Sequence, residues 1–202
     1  MVRAVVLDVG NVLVDWDVRA FYAPQIPDAA RLDWFLANVV TPAWHFQHDA
    51  GRPFAETSAE LIARFPAEAD LIRQFGPRFN ETITGPIPGM PELVEQLAAR
   101  GVPIFGITNF SHEFWPPFRA QWPLFDHFAD IIVSGEERLT KPDPAIYQLA
   151  LTRFGLAPGE GYFIDDRADN VEAAAANGFV AHQFRDAETL AAELRRLGLL
   201  PQ

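Results

Sequence analysis

Two textures alternate along the chain. Short, largely apolar runs rich in β-branched and aromatic residues recur at Val5 to Leu7, Val102 to Ile107, Ile131 to Ser134, Gly161 to Ile164 and Phe179 to Ala181. Each stops at a polar residue or a turn, the pattern of strands buried on both faces of a parallel sheet. Pro103 stands at the start of its run, where a ladder donor is least needed. Between the runs, apolar positions recur at helical spacing: Leu93 to Ala99, Pro144 to Phe154, Asn170 to Asn177 and Thr189 to Leu197, with Arg100-Gly101 and Gly178 as stop signals. Strand and helix alternate, which predicts an α/β fold with a parallel sheet covered on both faces.

Residues 17–85 break this alternation. They carry Ala, Phe, Trp and Leu at helical spacing with almost no β-branched runs. Arg31 to Val40 places Leu32, Phe35, Leu36 and Val39 on one face, and Thr57 to Phe65 does the same with Leu61, Ile62 and Phe65. Pro24, Pro27, Pro42, Pro53 and Pro66 cut the segment into several short helices. Thr84 to Gly89 reads as a linker back to the sheet. The expected division is therefore an α/β domain of residues 1–16 and 86–202, with a helical insertion of residues 17–85.

The formal charge of −11 comes without any basic run, so nucleic acid and anionic membranes are poor partners. No cysteine is present, which removes disulfides, thiolate zinc sites and cysteine nucleophiles. No apolar run approaches membrane-spanning length. Met1 leads almost directly into the first strand without a signal peptide's features, so a soluble cytoplasmic protein is expected.

The chemistry gathers where the strands end. Asp8, then Thr108-Asn109, then Lys141, then Asp165-Asp166 follow successive predicted strands. In a parallel sheet all strand carboxyl ends share one edge, the edge that binds ligands in open α/β sheets. Crowded carboxylates need a cation, and an all-oxygen set suits Mg²⁺ better than zinc or copper. Lys141 can hold a phosphate or relieve carboxylate repulsion, and Thr108 and the N–H groups after it can bind anionic oxygens. This mixture suits phosphoryl transfer, with Asp8 attacking phosphorus to form an aspartyl-phosphate. Singly, each residue has a plain structural alternative: an Asp as a helix cap, Lys141 as a loop charge, Thr108-Asn109 as a turn. Their shared sheet edge is what singles them out.

The ordered set resembles the four motifs of the haloacid dehalogenase (HAD) superfamily, over nearly the whole chain. Leu139-Thr140-Lys141-Pro142-Asp143-Pro144-Ala145-Ile146-Tyr147 and Phe163-Ile164-Asp165-Asp166 are the specific signatures. The resemblance implies a Rossmann-like core with a helical cap inserted after the first strand, Asp8 as nucleophile, and Thr108, Asn109 and Lys141 at the phosphate. It also implies Mg²⁺ bound by Asp8, Asp166 and the backbone carbonyl of Gly10, with Asp165 supporting. The family pattern DxDGT carries a second Asp as general acid and base, and here that position is Gly10. General acid–base help is worth roughly 10²–10⁴-fold.

Three functions follow from the resemblance. The Asp-x-Gly-Asn-Val variant is similar to a subgroup that includes a bacterial α-glucose-1-phosphate phosphatase. That implies a small phosphorylated metabolite, a sugar phosphate first, whose acidic anomeric leaving group needs less protonation; Asp15, Asp17 or a cap residue are the substitute acids. A 2-haloacid dehalogenase also lacks the second Asp, but does not keep the paired Asp-Asp. A catalytically weak binding or regulatory protein is the third reading. Within the insertion, Trp44 to Arg52 is the one polar-aromatic cluster, and His45, His48 and Arg52 are its candidate substrate contacts, the alternative being cap packing with surface histidines. His112, Phe114 and Trp115, just after Thr108-Asn109, either line the entrance or pack against the cap, and packing is the favoured reading. His127 and His182 are assigned no role.

Overall fold

A computed structural model describes residues 1–201. Its centre is a five-stranded parallel sheet formed by β1 (Ala4–Leu7), β4 (Ile104–Thr108), β5 (Asp130–Val133), β6 (Gly161–Asp165) and β7 (Val180–Gln183), in the order β5-β4-β1-β6-β7. β1 lies in the middle, with Val6 opposite Phe105 on one side and Phe163 on the other. Side chains alternate across the sheet. Val5 and Leu7 face one core, with Met90, Leu93, Val94 and Leu97 of α6 (Met90–Ala99) and with Leu190 and Leu194 of α11 (Ala187–Arg196). Ala4 and Val6 face a second core, with Ile146, Tyr147 and Ala150 of α9 (Pro144–Arg153) and Ala174 of α10 (Ala168–Ala176). Both faces of β1 are buried, which is why its sequence is continuously apolar rather than alternating. The short helices α7 (Trp115–Arg119) and α8 (Ser134–Glu137) complete this part of the chain.

The insertion consists of α1 (Val18–Tyr22), α2 (Ala29–Asn38), α3 (Pro42–Asp49), α4 (Phe54–Arg64) and α5 (Ala69–Gln74). Local sequence fixes their starts. Asp17, Asp28 and Thr41 each accept a hydrogen bond from the N–H three residues on, capping α1, α2 and α3. Tyr22, Phe35, Trp44, Phe75 and Phe79 form an aromatic interior continuous with the first core.

The structure corrects the linker at Thr84 to Gly89. Residues Ile83–Pro86 form β3, antiparallel to β2 (Val14–Trp16), with an irregularity in register between Asp15 and Trp16. This two-stranded ribbon stands at both ends of the helical run. Its partners lie about seventy residues apart, so neither segment shows a strand pattern of its own: Gly85 and Pro86 look like a turn until β2 is beside them. Among the described residues no helix is long and apolar enough to cross a membrane.

Candidate active site

Asp8 follows β1 directly, and its N–H donates to the Ile164 carbonyl at 2.9 Å. One carboxylate oxygen accepts the Val9 N–H at 2.7 Å. Lys141 reaches the same edge from the loop after α8: its Nζ lies 2.9 Å from Asp8 Oδ1 and 2.7 Å from Asp165 Oδ2. Asp165 is further held by Asn170 Nδ2, at 3.0 and 3.1 Å, and by the Arg167 N–H at 2.9 Å.

These contacts explain the protonation pattern. Burial works to raise both carboxyls. For Asp165, Lys141 and the bonds from Arg167 and Asn170 outweigh burial and hold it below its ordinary value. Asp8 has fewer donors and feels the Asp165 charge, so burial wins and its pKa is raised. Burial works against the ammonium of Lys141, but Asp165 and Asp8 together raise its pKa and keep it charged.

Asn109 was expected to bind phosphate. Its side chain accepts from the Lys141 N–H at 2.8 Å and donates to the Lys141 carbonyl at 2.9 Å, so it fixes the backbone that presents Lys141. Thr108 is buried at the end of β4, beside that edge, and does not line the cavity.

A cavity of about 420 Å³ opens over this edge. Asp8, Gly10, Asn109, Lys141 and Asp166 line its floor, and Trp16, His45, Phe46, Asp49 and Phe79 its walls. Gly10 has no positive φ, and a Cβ there would meet nothing within 4 Å. Neither packing nor backbone conformation requires glycine at this place.

The carboxylates of Asp8, Asp165 and Asp166 offer oxygens within 4.8 Å of one another. Such a donor set fits Mg²⁺. Because Lys141, Asn170 and Arg167 engage Asp165, the oxygens available to a metal are those of Asp8 and Asp166. Asp166 is raised by burial and by Asp165, with a hydrogen bond from Asn11 opposing.

Of the three cap candidates, only His45 reaches the cavity. It lies between Trp16 and Phe79, with ring centroids 4.8 and 5.8 Å away, and burial lowers its pKa to about 4. His48 is corrected to an interior position: it is fully buried, 2.6 Å from Thr57 Oγ1, and burial lowers it to about 3. Arg52 is corrected to the surface, where it pairs with Glu60 at 2.7 Å and with Gln47. Helical periodicity explains both. α3 turns positions 42, 45, 46 and 49 toward the cavity, which leaves Trp44 and His48 inside the insertion and Arg52 beyond the helix end.

Asp17 caps α1, bonding Ala20 N at 3.0 Å, and Asp15 bonds Thr84 Oγ1; neither lines the cavity. Phe114 stacks on Phe79 at 4.7 Å and Trp115 packs edge-on against Phe110 at 5.3 Å. Two residues that the sequence analysis does not single out also belong to the site. Asn11, in the left-handed region at φ 57°, holds the turn after Asp8, its Oδ1 accepting from the Trp16 N–H at 3.4 Å, and lies near enough to Asp166 to lower its pKa. Asp49 brings a buried carboxyl from α3, raised by burial to about 7 against the pull of Lys141.

A parallel sheet whose central strand ends in a carboxylate paired with a buried lysine, facing a second acidic pair, defines a hydrolase of the HAD type. Comparison with known proteins agrees: residues 2–178 match the haloacid dehalogenase-like hydrolase family, and the chain belongs to it. A sesquiterpene phosphatase of Aspergillus oryzae is 26% identical over 96% of both chains. A phosphoglycolate phosphatase of Yersinia pseudotuberculosis is 32% identical over 65% of this chain and 54% of its own. Acyl-CoA dehydrogenase family member 10 of Mus musculus is 27% identical over 96% of this chain, which spans only 19% of that protein. Among solved structures, a HAD family enzyme from Bacteroides thetaiotaomicron aligns with TM-score 0.74 at 19% identity, covering 96% of this chain and 98% of its own. The same enzyme has been solved in complex with magnesium and inorganic phosphate.

Proposed function

We propose that this chain is a Mg²⁺-dependent phosphatase of small phosphorylated metabolites that works through an aspartyl-phosphate on Asp8. The observation that carries the reading is the Asp8 carboxylate 2.9 Å from Lys141 Nζ, on the floor of a cavity shared with Asp166. Asp8 attacks phosphorus, the bond to the leaving oxygen breaks, and water then attacks the aspartyl-phosphate and regenerates the carboxylate. Lys141 neutralises the equatorial phosphate oxygens and keeps Asp8 from being repelled by Asp165. The Thr108-Asn109 end of β4 receives the phosphate beside it. Mg²⁺, which Asp8, Asp166 and the Gly10 carbonyl would hold with Asp165 in support, would supply charge neutralisation for the incoming phosphate. Residues 17–85 act as the cap that closes over the 1–16 and 86–202 core. The Asp165-Asp166 pair favours phosphate over a 2-haloacid, and the intact Asp8–Lys141 pair favours catalysis over a purely regulatory role.

A sugar phosphate is the substrate that the subgroup resemblance favours. A second reading has its own support: Trp16, Phe46, Phe79, Ile83 and Phe110 dominate the walls, which suits the phosphate ester of an apolar alcohol, and a sesquiterpene phosphatase is among the relatives. Phosphate release from sugar phosphates, prenyl-type monophosphates and p-nitrophenyl phosphate, with Mg²⁺ and with EDTA, separates them. Mg²⁺-dependent release that disappears in Asp8→Asn supports the phosphatase. Undiminished release by Asp8→Asn, or none by the wild type, rejects it.

A further inference from the structure

Gly10 leaves a chemical gap. An alkoxide leaving group must be protonated and the hydrolytic water must lose a proton, yet no side chain on the turn after Asp8 can do either. Asp15 and Asp17 are committed elsewhere. Asp49, the last residue of α3, offers a carboxyl to the same cavity from the opposite side. Its Oδ1 is buried without a hydrogen-bond partner, the state of a group whose partner arrives with the substrate.

Asp49 is also anchored to the core. The Ser134 hydroxyl donates to the Asp49 carbonyl at 2.6 Å and accepts the Phe110 N–H at 2.9 Å, so the end of α3 is tied to the start of α8 and to the strand-end loop that carries Asn109. His45 Nε2 lies 3.6 Å from Asp49 Oδ1. With its own charge suppressed, His45 is a neutral neighbour that can orient the carboxyl.

We propose that Asp49 is the general acid and base of this site, supplying from the insertion what Gly10 does not supply from the core. The proposal rests on the phosphatase reading. In the first step Asp8 bonds to phosphorus, the phosphorus–oxygen bond to the leaving group breaks, and the leaving oxygen takes the Asp49 proton. In the second, the Asp49 carboxylate takes a proton from water as the water oxygen bonds to phosphorus. The bond from phosphorus to Asp8 breaks, phosphate departs, and Asp49 is again an acid. The charged group that acts on the Asp49 carboxyl is Lys141, across the cavity; His45, on its own helix, stands beside it, and Ser134, from the packed core element, is neutral. Burial places the Asp49 carboxyl near neutrality, where one group serves both steps.

The test compares leaving groups. For wild type, kcat/KM on an alkyl phosphate falls above about pH 7, whereas p-nitrophenyl phosphate, which needs no protonation, lacks that limb. Asp49→Asn loses roughly 10²–10⁴-fold in the first step on the alkyl phosphate. On p-nitrophenyl phosphate it still releases one equivalent of nitrophenolate per enzyme in a burst, then stalls. Asp49→Glu restores part of the alkyl phosphate rate. An Asp49→Asn enzyme with the wild-type rate and pH profile on the alkyl ester overturns the proposal, and so does equal loss of the burst on both substrates. If wild type turns over p-nitrophenyl phosphate and Asp8→Asn does not, the phosphatase reading stands whichever way Asp49 behaves.

Discussion

Lys141 and His48 are almost equally hidden, 2% and 0% exposed, yet one keeps its charge and the other gives it up. At the sheet edge, burial is offset by pairing: Lys141 sits between two carboxylates, and Asp165 collects three further donated hydrogen bonds. In the helical insertion, burial is accommodated by neutrality, with His45, His48 and Asp49 all displaced toward their uncharged forms. A charged floor can grip a dianionic phosphate. A neutral wall can accept the organic part and hold a proton ready. Core and insertion thus meet one desolvation cost in two different ways.

The contrast is broken most severely at Lys141. Lys141→Met leaves Asp8 and Asp165 together without a cation, and should cost about 3–5 kcal/mol in urea unfolding at pH 8. The loss should shrink toward pH 5, as the two carboxyls protonate, and phosphate release should vanish.

Opposite pH slopes sharpen the contrast. The lowered histidines stabilise the fold above the unfolded value of 6.5, and that contribution is lost as pH falls toward about 4 for His45 and about 3 for His48. Asp49, raised from 3.8 to about 7, contributes in the other sense: its stabilisation is complete below 3.8 and lost as pH rises to about 7. Melting temperatures across this range should show Asp49→Asn more stable than wild type at pH 8 and level with it near pH 4. His48→Gln should flatten the acid side.

Smaller effects follow. Thr57→Val removes the hydroxyl that bonds His48 and should cost about 1–2 kcal/mol without changing the substrate profile. Arg52→Ala disturbs an exposed pair with Glu60 and should leave both kcat/KM and the melting temperature at wild-type values.

The sheet edge was legible because each of Asp8, Lys141 and Asp165-Asp166 stands just after a recognisable strand, or one short connection beyond it. Parallel topology alone then brings them together. The insertion was legible as helices but not as a wall. Residue type suggested His48 and Arg52, whereas the face of α3 decides the matter: once Thr41 and Pro42 fix the helix start, the period that selects His45 also selects Phe46 and Asp49. Asn109 stands at the expected edge, and its further grip on the Lys141 backbone, which joins residues 32 positions apart, could not be read from the sequence. The pairing of β2 with β3 and the approach of Asn11 to Asp166 are likewise tertiary, and no local pattern announces them.

Asp8 as the acceptor of the phosphoryl group is the central claim. Wild-type protein mixed with a phosphomonoester and Mg²⁺, quenched in acid within one turnover and mapped by peptide mass spectrometry, reads this directly. A phosphoryl group on the peptide containing Asp8, absent from Asp8→Asn, is the expected result. Steady phosphate release with no phosphoryl group on Asp8, continuing in Asp8→Asn, would contradict the mechanism.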